Sequence, residues 1–142
     1  MKKLAMVLAL SMLTFISFGQ KVKDKNVPQI IKNALHQKYP DAKGVKWDKE
    51  KNNYEASFDK NNVDNSILIT PEGKIIEMET EIQITELPKN VTDYVKKHYT
   101  GQKNVEAAKI TDVNGKVTFE AEIKGKDLIF DSNGNFIKAT KD

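Results

Sequence analysis

The chain has 142 residues, 39% apolar and 30% charged, with 23 basic against 20 acidic side chains and a formal net charge of +3. It holds no cysteine, which excludes disulfides and a lipid-bearing N-terminal cysteine. Arginine, whose fork suits phosphates and base edges, is also absent, and lysines alternate with carboxylates rather than forming blocks, so nucleic acid is not an expected partner.

The first element is MKKLAMVLALSMLTFISFGQ. Two lysines precede an apolar run from Leu4 to Phe18, and Ser17 and Gly19 supply the small residues of a cut before Gln20. The run is short for a membrane span. Residues 1–19 are therefore expected to be a secretory signal peptide, giving a periplasmic or secreted product with no stable membrane insertion after cleavage. No later segment is apolar enough to cross a bilayer.

The remainder repeats. VPQIIKNALHQKYP around Pro28 and LPKNVTDYVKKHYT around Pro88 each place proline at a helix start and tyrosine eleven residues on, at Tyr39 and Tyr99. Val27, Ile30, Ile31, Ala34, Leu35 and Tyr39 fall on one helical face, as do Leu87, Val91, Tyr94, Val95 and His98. NYEASF at 53–58 then corresponds to TFEAEI at 118–123, and ILITPEGKII at 67–76 to LIFDSNGNFI at 128–137. These runs alternate in polarity and are punctuated by glycine turns, predicting about four antiparallel strands after each helix. The expected fold is α+β: two tandem α-β-β-β-β repeats, residues 20–84 and 85–142, forming a curved antiparallel sheet with both helices packed on one face.

This succession of a VP…Y helix, a YEASF-like strand and a D/P-x-x-G turn before a last strand resembles the PepSY-like family of exported proteins, itself likened to β-lactamase inhibitory protein. The resemblance spans both halves. It implies helices packed on one antiparallel sheet. Related modules restrain proteases as propeptides, and the inhibitory protein binds β-lactamases on its sheet face. No residue here matches a known inhibitory one.

Little in the sequence points to catalysis. His36 and His98 occupy non-equivalent positions, His36 reading as solvated and His98 as near the core, and no nucleophile elbow or phosphate loop is present. No catalytic residue and no cofactor are expected. Two histidines without cysteine do not make a standard zinc site. Asp59–Asp64 lacks the glycine and closing glutamate of a calcium loop. Asp131–Asn135 reads as a tight turn.

The stretch IIEMETEI is the most distinctive. Strand alternation puts Glu77, Glu79 and Glu81 on one side, and Ile76, Met78 and Ile82 on the other. The glutamates are expected to be a solvated row answered by lysines on neighbouring strands, binding no divalent ion tightly. Three-residue loops at 71–73 and 132–134 would pair Ile69 with Ile75 and Phe130 with Phe136. Unbroken alternation then puts Ile67, Ile69, Ile75, Leu128, Phe130 and Phe136 on the open face beside Glu77 and Glu79, and Leu68, Ile76, Ile129, Ile137 and Ala139 in the core. A two-residue Asn114-Gly115 turn would pair Ile110 with Phe119 and Ala108 with Ala121.

Burial against the other repeat, a dimer or a loop would explain apolar residues there. So would a partner-binding surface. On the second view Ile67, Ile69, Ile75, Glu77, Glu79, Leu128, Phe130 and Phe136 form the binding site, with a solvent-exposed Trp47 as the next candidate. The expected function is non-catalytic binding of another exported protein or peptide, with inhibition of an envelope or periplasmic hydrolase as the specific case. The alternative is a periplasmic small-ligand or cation sensor using the acidic sheet face.

Overall fold

Each helix begins directly after a proline whose φ is fixed, at −57° for Pro28 and −52° for Pro88, where a missing N–H costs nothing because first-turn donors lack an intrahelical acceptor. The computed structural model describes residues 20–141, so the expected signal peptide lies outside the described residues. Helices α1 (Gln29–Lys38) and α2 (Lys89–His98) have ten residues each, too few to persist alone. They hold because Ile31 and Leu35, and likewise Val91 and Val95, one turn apart, are buried against the sheet.

Nine strands form one antiparallel sheet in chain order: β1 (Gln20–Val22), β2 (Lys43–Glu50), β3 (Asn53–Lys60), β4 (Val63–Ile69), β5 (Ile75–Ile82), β6 (Glu106–Asp112), β7 (Val117–Ile123), β8 (Lys126–Asp131) and β9 (Phe136–Thr140). Each helix is followed by four strands, as the repeated pattern predicts. The strand β5 serves both halves, because its Ile82 pairs with Ala107 as Val22 of β1 pairs with Trp47.

Both helices cover the same side. Under α1 lie Trp47, Ala56, Phe58, Ile67 and Ile69; under α2 lie Ala107, Ala121, Ile123, Leu128 and Phe130. The open-face placement of six apolar residues is therefore corrected. Ile67, Ile69, Leu128 and Phe130 are fully buried in the helix-covered core, Ile75 is packed against it, and Phe136 stacks on Tyr94 of α2 with ring centroids 4.6 Å apart.

The cause is a pair of bulges. Ile69 does pair with Ile75, but Leu68 pairs with Glu77, so Ile76 is an extra residue; likewise Phe130 pairs with Phe136 and Ile129 with Lys138, leaving Ile137 extra. One inserted residue reverses the parity of everything beyond it. Ile75 and Glu77 thus face opposite ways despite being two apart. Leu68 and Ile129, expected under the helices, are instead buried on the helix-free face, while Ile137 and Ala139 are exposed.

The β6–β7 connection needs a second correction. Asp112 N–H donates to the Lys116 carbonyl and Gly115 N–H to the Asp112 carbonyl, each at 3.0 Å, so the loop is Val113-Asn114-Gly115, with Gly115 at φ +78°. Ile110 accordingly faces Thr118, and Ala108 faces Glu120. The β4–β5 and β8–β9 loops repeat this bonding, with Gly73 and Gly134 each at φ +82°. In the two Asp-x-Asn-Gly loops the first aspartate also accepts two backbone N–H groups, at 2.8 and 2.9 Å for Asp112 and at 2.9 Å for both at Asp131. Asp59–Asp64 holds a two-residue turn with Asn61 and Asn62 both at positive φ.

Candidate functional site

The helix-free face is a hollow of about 520 Å³ lined by eight carboxylates and one lysine, Lys46. It is built by cross-strand partners, which share a side of the sheet. Asp48 faces Glu55, which faces Leu68, which faces Glu77. One row on, Lys46 faces Ser57, Ser57 faces Ser66, and Ser66 faces Glu79. Beyond β5, Glu106 faces Glu122 and Glu122 faces Asp127. Leu68, Ala108, Ile110 and Ile129 form an apolar floor between the acids, all buried.

The lysines that were to answer the glutamates mostly lie elsewhere. Lys49, Lys60 and Lys126 sit over the rings of Tyr54, Tyr39 and Tyr99, at 3.6, 5.3 and 5.4 Å from their centroids, on the side carrying the helices. Lys46 and Lys138 stay on the helix-free face, where carboxylates outnumber them. That is why the carboxyls interact as a set.

Glu77 and Glu79 do occupy the helix-free face, as expected, but they are half-buried rather than a wet row. Burial first, then the negative charge of Glu50, Asp112 and Glu55, pushes Glu77 up to about 7, with Lys138 opposing. Glu55 is also raised to about 7, by burial and then by Glu50 and Asp48, against a hydrogen bond from Ser66. Burial raises Glu79 and Glu120 further still, and each adds to the other's shift. One oxygen of Glu77 and one of Glu50 are buried with no hydrogen-bond partner among the described residues.

Glu120 is the residue that spacing missed. It is 8% exposed, and burial and then the charges of Glu79, Asp127 and Glu122 disfavour its ionised form. Its ligand oxygen lies within 4.8 Å of those of Glu122 and Asp127, three carboxylates converging across the β7–β8 ladder rather than along one strand. The repeated Asp-x-Asn-Gly spacing was the available signal, since a three-residue loop at 113–115 puts Glu120 opposite Ala108. Oxygen-only donors of this kind suit calcium or magnesium, not zinc.

Other candidates fall away from this hollow. Trp47, expected at the surface, is 4% exposed, and its Nε1–H donates to Asp24 at 3.2 Å, while Asp24 also accepts from Lys32 at 2.6 Å. His36 and His98 are both exposed on their helices; His98 stacks on Tyr94 instead of lying near the core. None of the helices in residues 20–141 is long and apolar enough to cross a membrane.

Two helix-plus-four-strand units sharing one sheet, helical on one side and acidic on the other, define a two-repeat module. The chain belongs to the family described as "Putative beta-lactamase-inhibitor-like, PepSY-like", whose pattern matches residues 17–77 and again 76–138. No curated protein sequence matches it. Among solved structures, the chain is similar to a DUF2874 family protein from Bacteroides uniformis (21% identity, 80% of this chain and 88% of that one, TM-score 0.69). It is also similar to a BLIP-like protein from Bacteroides fragilis (22% identity, 80% and 85% covered, TM-score 0.62). A third, described as one of the "putative periplasmic proteins" of Bacteroides eggerthii, gives 19% identity, 81% and 88% coverage and a TM-score of 0.70. These likenesses show the fold.

Proposed function

We propose that this protein is a non-catalytic, periplasmic binding module that receives a lysine- or arginine-rich segment of another exported protein in its acidic hollow. The observation that carries this is a cavity lined by eight acids and one base, with Glu120 buried in its wall. Folding gathers these carboxylates on one face, and burial raises Glu55, Glu79 and Glu120 toward their protonated forms. A cationic side chain would supply hydrogen bonds and opposite charge together, and would let the carboxyls release shared protons. The exported relatives and the leader-like N-terminus support the location, and the BLIP-like structural neighbour supports inhibition of an envelope hydrolase as the biological outcome.

The test is affinity capture from an envelope extract, comparing the wild type with a Glu79→Gln/Glu120→Gln double variant. The wild type should retain a partner with a basic surface segment, released by salt, and the variant should not. A partner held equally by both would place binding on another surface.

A divalent cation is a second occupant, favoured by the convergence of Glu120, Glu122 and Asp127. Calorimetric titration with calcium chloride, repeated on Glu120→Gln, separates the two: a stoichiometric site lost in the variant favours the sensor over the protein-binding module.

A further inference from the structure

The closing hairpins of the two repeats correspond residue for residue, and the bulge at Ile76 is matched by that at Ile137. The strand β9 is therefore the counterpart of Ile75–Glu79 in β5, with Lys138 standing for Glu77, Ala139 for Met78 and Thr140 for Glu79. In the first repeat the outer edge of that strand is taken, since β6 pairs with it from Glu77 and Asp112 to Ile82 and Ala107. In the second repeat β9 ends the sheet, and β8 is its one neighbouring strand among the described residues.

The side chains register the difference. Ile75, Ile76 and Met78 are half-buried, whereas their counterparts Phe136, Ile137 and Ala139 are exposed, Phe136 by 38% and Ile137 by 40%. Nothing in β9 guards this edge: it holds no proline, and its bulge is the one that β5 carries while still accepting β6. The opposite edge of the sheet is blunted. There β1 pairs over three residues, with Gln20 and Lys21 exposed, and β2 is irregular between Lys43 and Lys46, with Gly44 at φ +61°.

We propose that the outer edge of β9 takes an extended segment of another exported polypeptide as an antiparallel tenth strand, with an acidic residue across from Lys138 and an apolar residue next along, beside Ile137. The pattern is set by β6, whose Asp112 stands across from Glu77 and is followed by Val113. Across from Glu77 that aspartate is a like charge; across from Lys138 it is an opposite one, the favourable cross-strand pair. Backbone hydrogen bonds supply the affinity of such an added strand, and alternate side chains supply its selectivity. A second copy of β9 is a poorer match. Of the residues paired with β8, only Lys138 and Thr140 share the helix-free side, so two copies would set Lys138 against lysine or threonine.

The experiment is titration of the purified protein, followed by backbone amide NMR, with a synthetic peptide of residues 105–113, VEAAKITDV. The peptide should bind saturably with stoichiometry one, shift the Lys138, Ala139 and Thr140 amides, and leave those of β1 unmoved. An Asp112→Lys peptide should bind at least about fivefold more weakly, the scale of a cross-strand pair turned from opposite to like charge. The acidic hollow would rank the two peptides the other way, so an Asp112→Lys peptide that binds equally or tighter would overturn the assignment. Ala139→Pro in the protein, which an edge strand tolerates but a further strand does not, should abolish binding. Should that variant fail to fold, Lys138→Glu should reverse the ranking of the two peptides, an exchange that loss of structure does not produce. No saturable binding, shifts confined to other strands, a ranking unchanged in Lys138→Glu, or a dimer through β9 that excludes the peptide would each overturn it as well.

Discussion

Glu120 stands directly across the β6–β7 ladder from Ala108, so a carboxyl is set over a methyl on the face without helices. Nothing of length on β6 reaches up to meet it. Its charged form is disfavoured by burial and then by Glu79, Asp127 and Glu122. A carboxyl in that position weakens the fold when ionised.

Glu120→Gln keeps the volume and removes the charge. The variant should be more stable than the wild type by about 1–2 kcal/mol above pH 8 and close to it at pH 5.5. Urea unfolding at both pH values checks this; equal destabilisation at both would mean that the carboxylate has a partner in the folded chain.

The wild type should itself lose stability as pH rises. Glu55 and Glu77 are raised from 4.5 to about 7, so the folded state binds more protons than the unfolded chain between those values. Their contribution is complete below the unfolded pKa and is lost as pH climbs through the folded one. Unfolding free energy should fall by roughly 2 kcal/mol between pH 5.5 and 8.5, after discounting for partial exposure. Asp24 and Asp131, whose pKa values are lowered from 3.8, titrate below this window. Glu55→Gln/Glu77→Gln should flatten the profile; an unchanged slope would remove these two groups as its source.

The two phenylalanines of the last hairpin should separate. Phe130 is fully buried and in edge contact with Tyr94 at 5.4 Å, whereas Phe136 is 38% exposed and stacked on the same ring. Phe130→Ala should cost about 3–5 kcal/mol and Phe136→Ala only about 1 kcal/mol. Denaturant unfolding of the pair decides it. Similar losses would put Phe136 inside the core.

Glycine 134 and glycine 115 hold the same turn position but different surroundings. A Cβ at Gly134 would lie 2.8 Å from that of Pro88, while one at Gly115 would meet nothing within 4 Å. Both alanine variants carry the strain of positive φ. Gly134→Ala should therefore be the worse by more than about 1 kcal/mol, because it also pushes the hairpin away from the start of α2. Thermal unfolding gives the comparison, and equal losses would mean that this contact yields freely.

Much of this architecture was legible in the chain itself. Pro28 and Pro88 mark the helix starts, the spacing to Tyr39 and Tyr99 marks their ends, and the duplicated strand motifs announce two units sharing a sheet. Such signals are local: a fixed φ, a helical period, a glycine at positive φ. The shared side of Glu77 and Glu79 was visible for the same reason, since alternation beyond the bulge at Ile76 depends only on backbone geometry. What only the tertiary structure decided was which side each strand presents. A bulge at Ile76 or Ile137 leaves no local mark, yet it turned Ile67, Ile69, Leu128 and Phe130 inward and brought Leu68 and Ile129 out among the acids. The convergence of Glu120, Glu122 and Asp127 likewise depends on the register between strands, and register is set by the packing of whole faces, where one residue of slip exchanges core for surface.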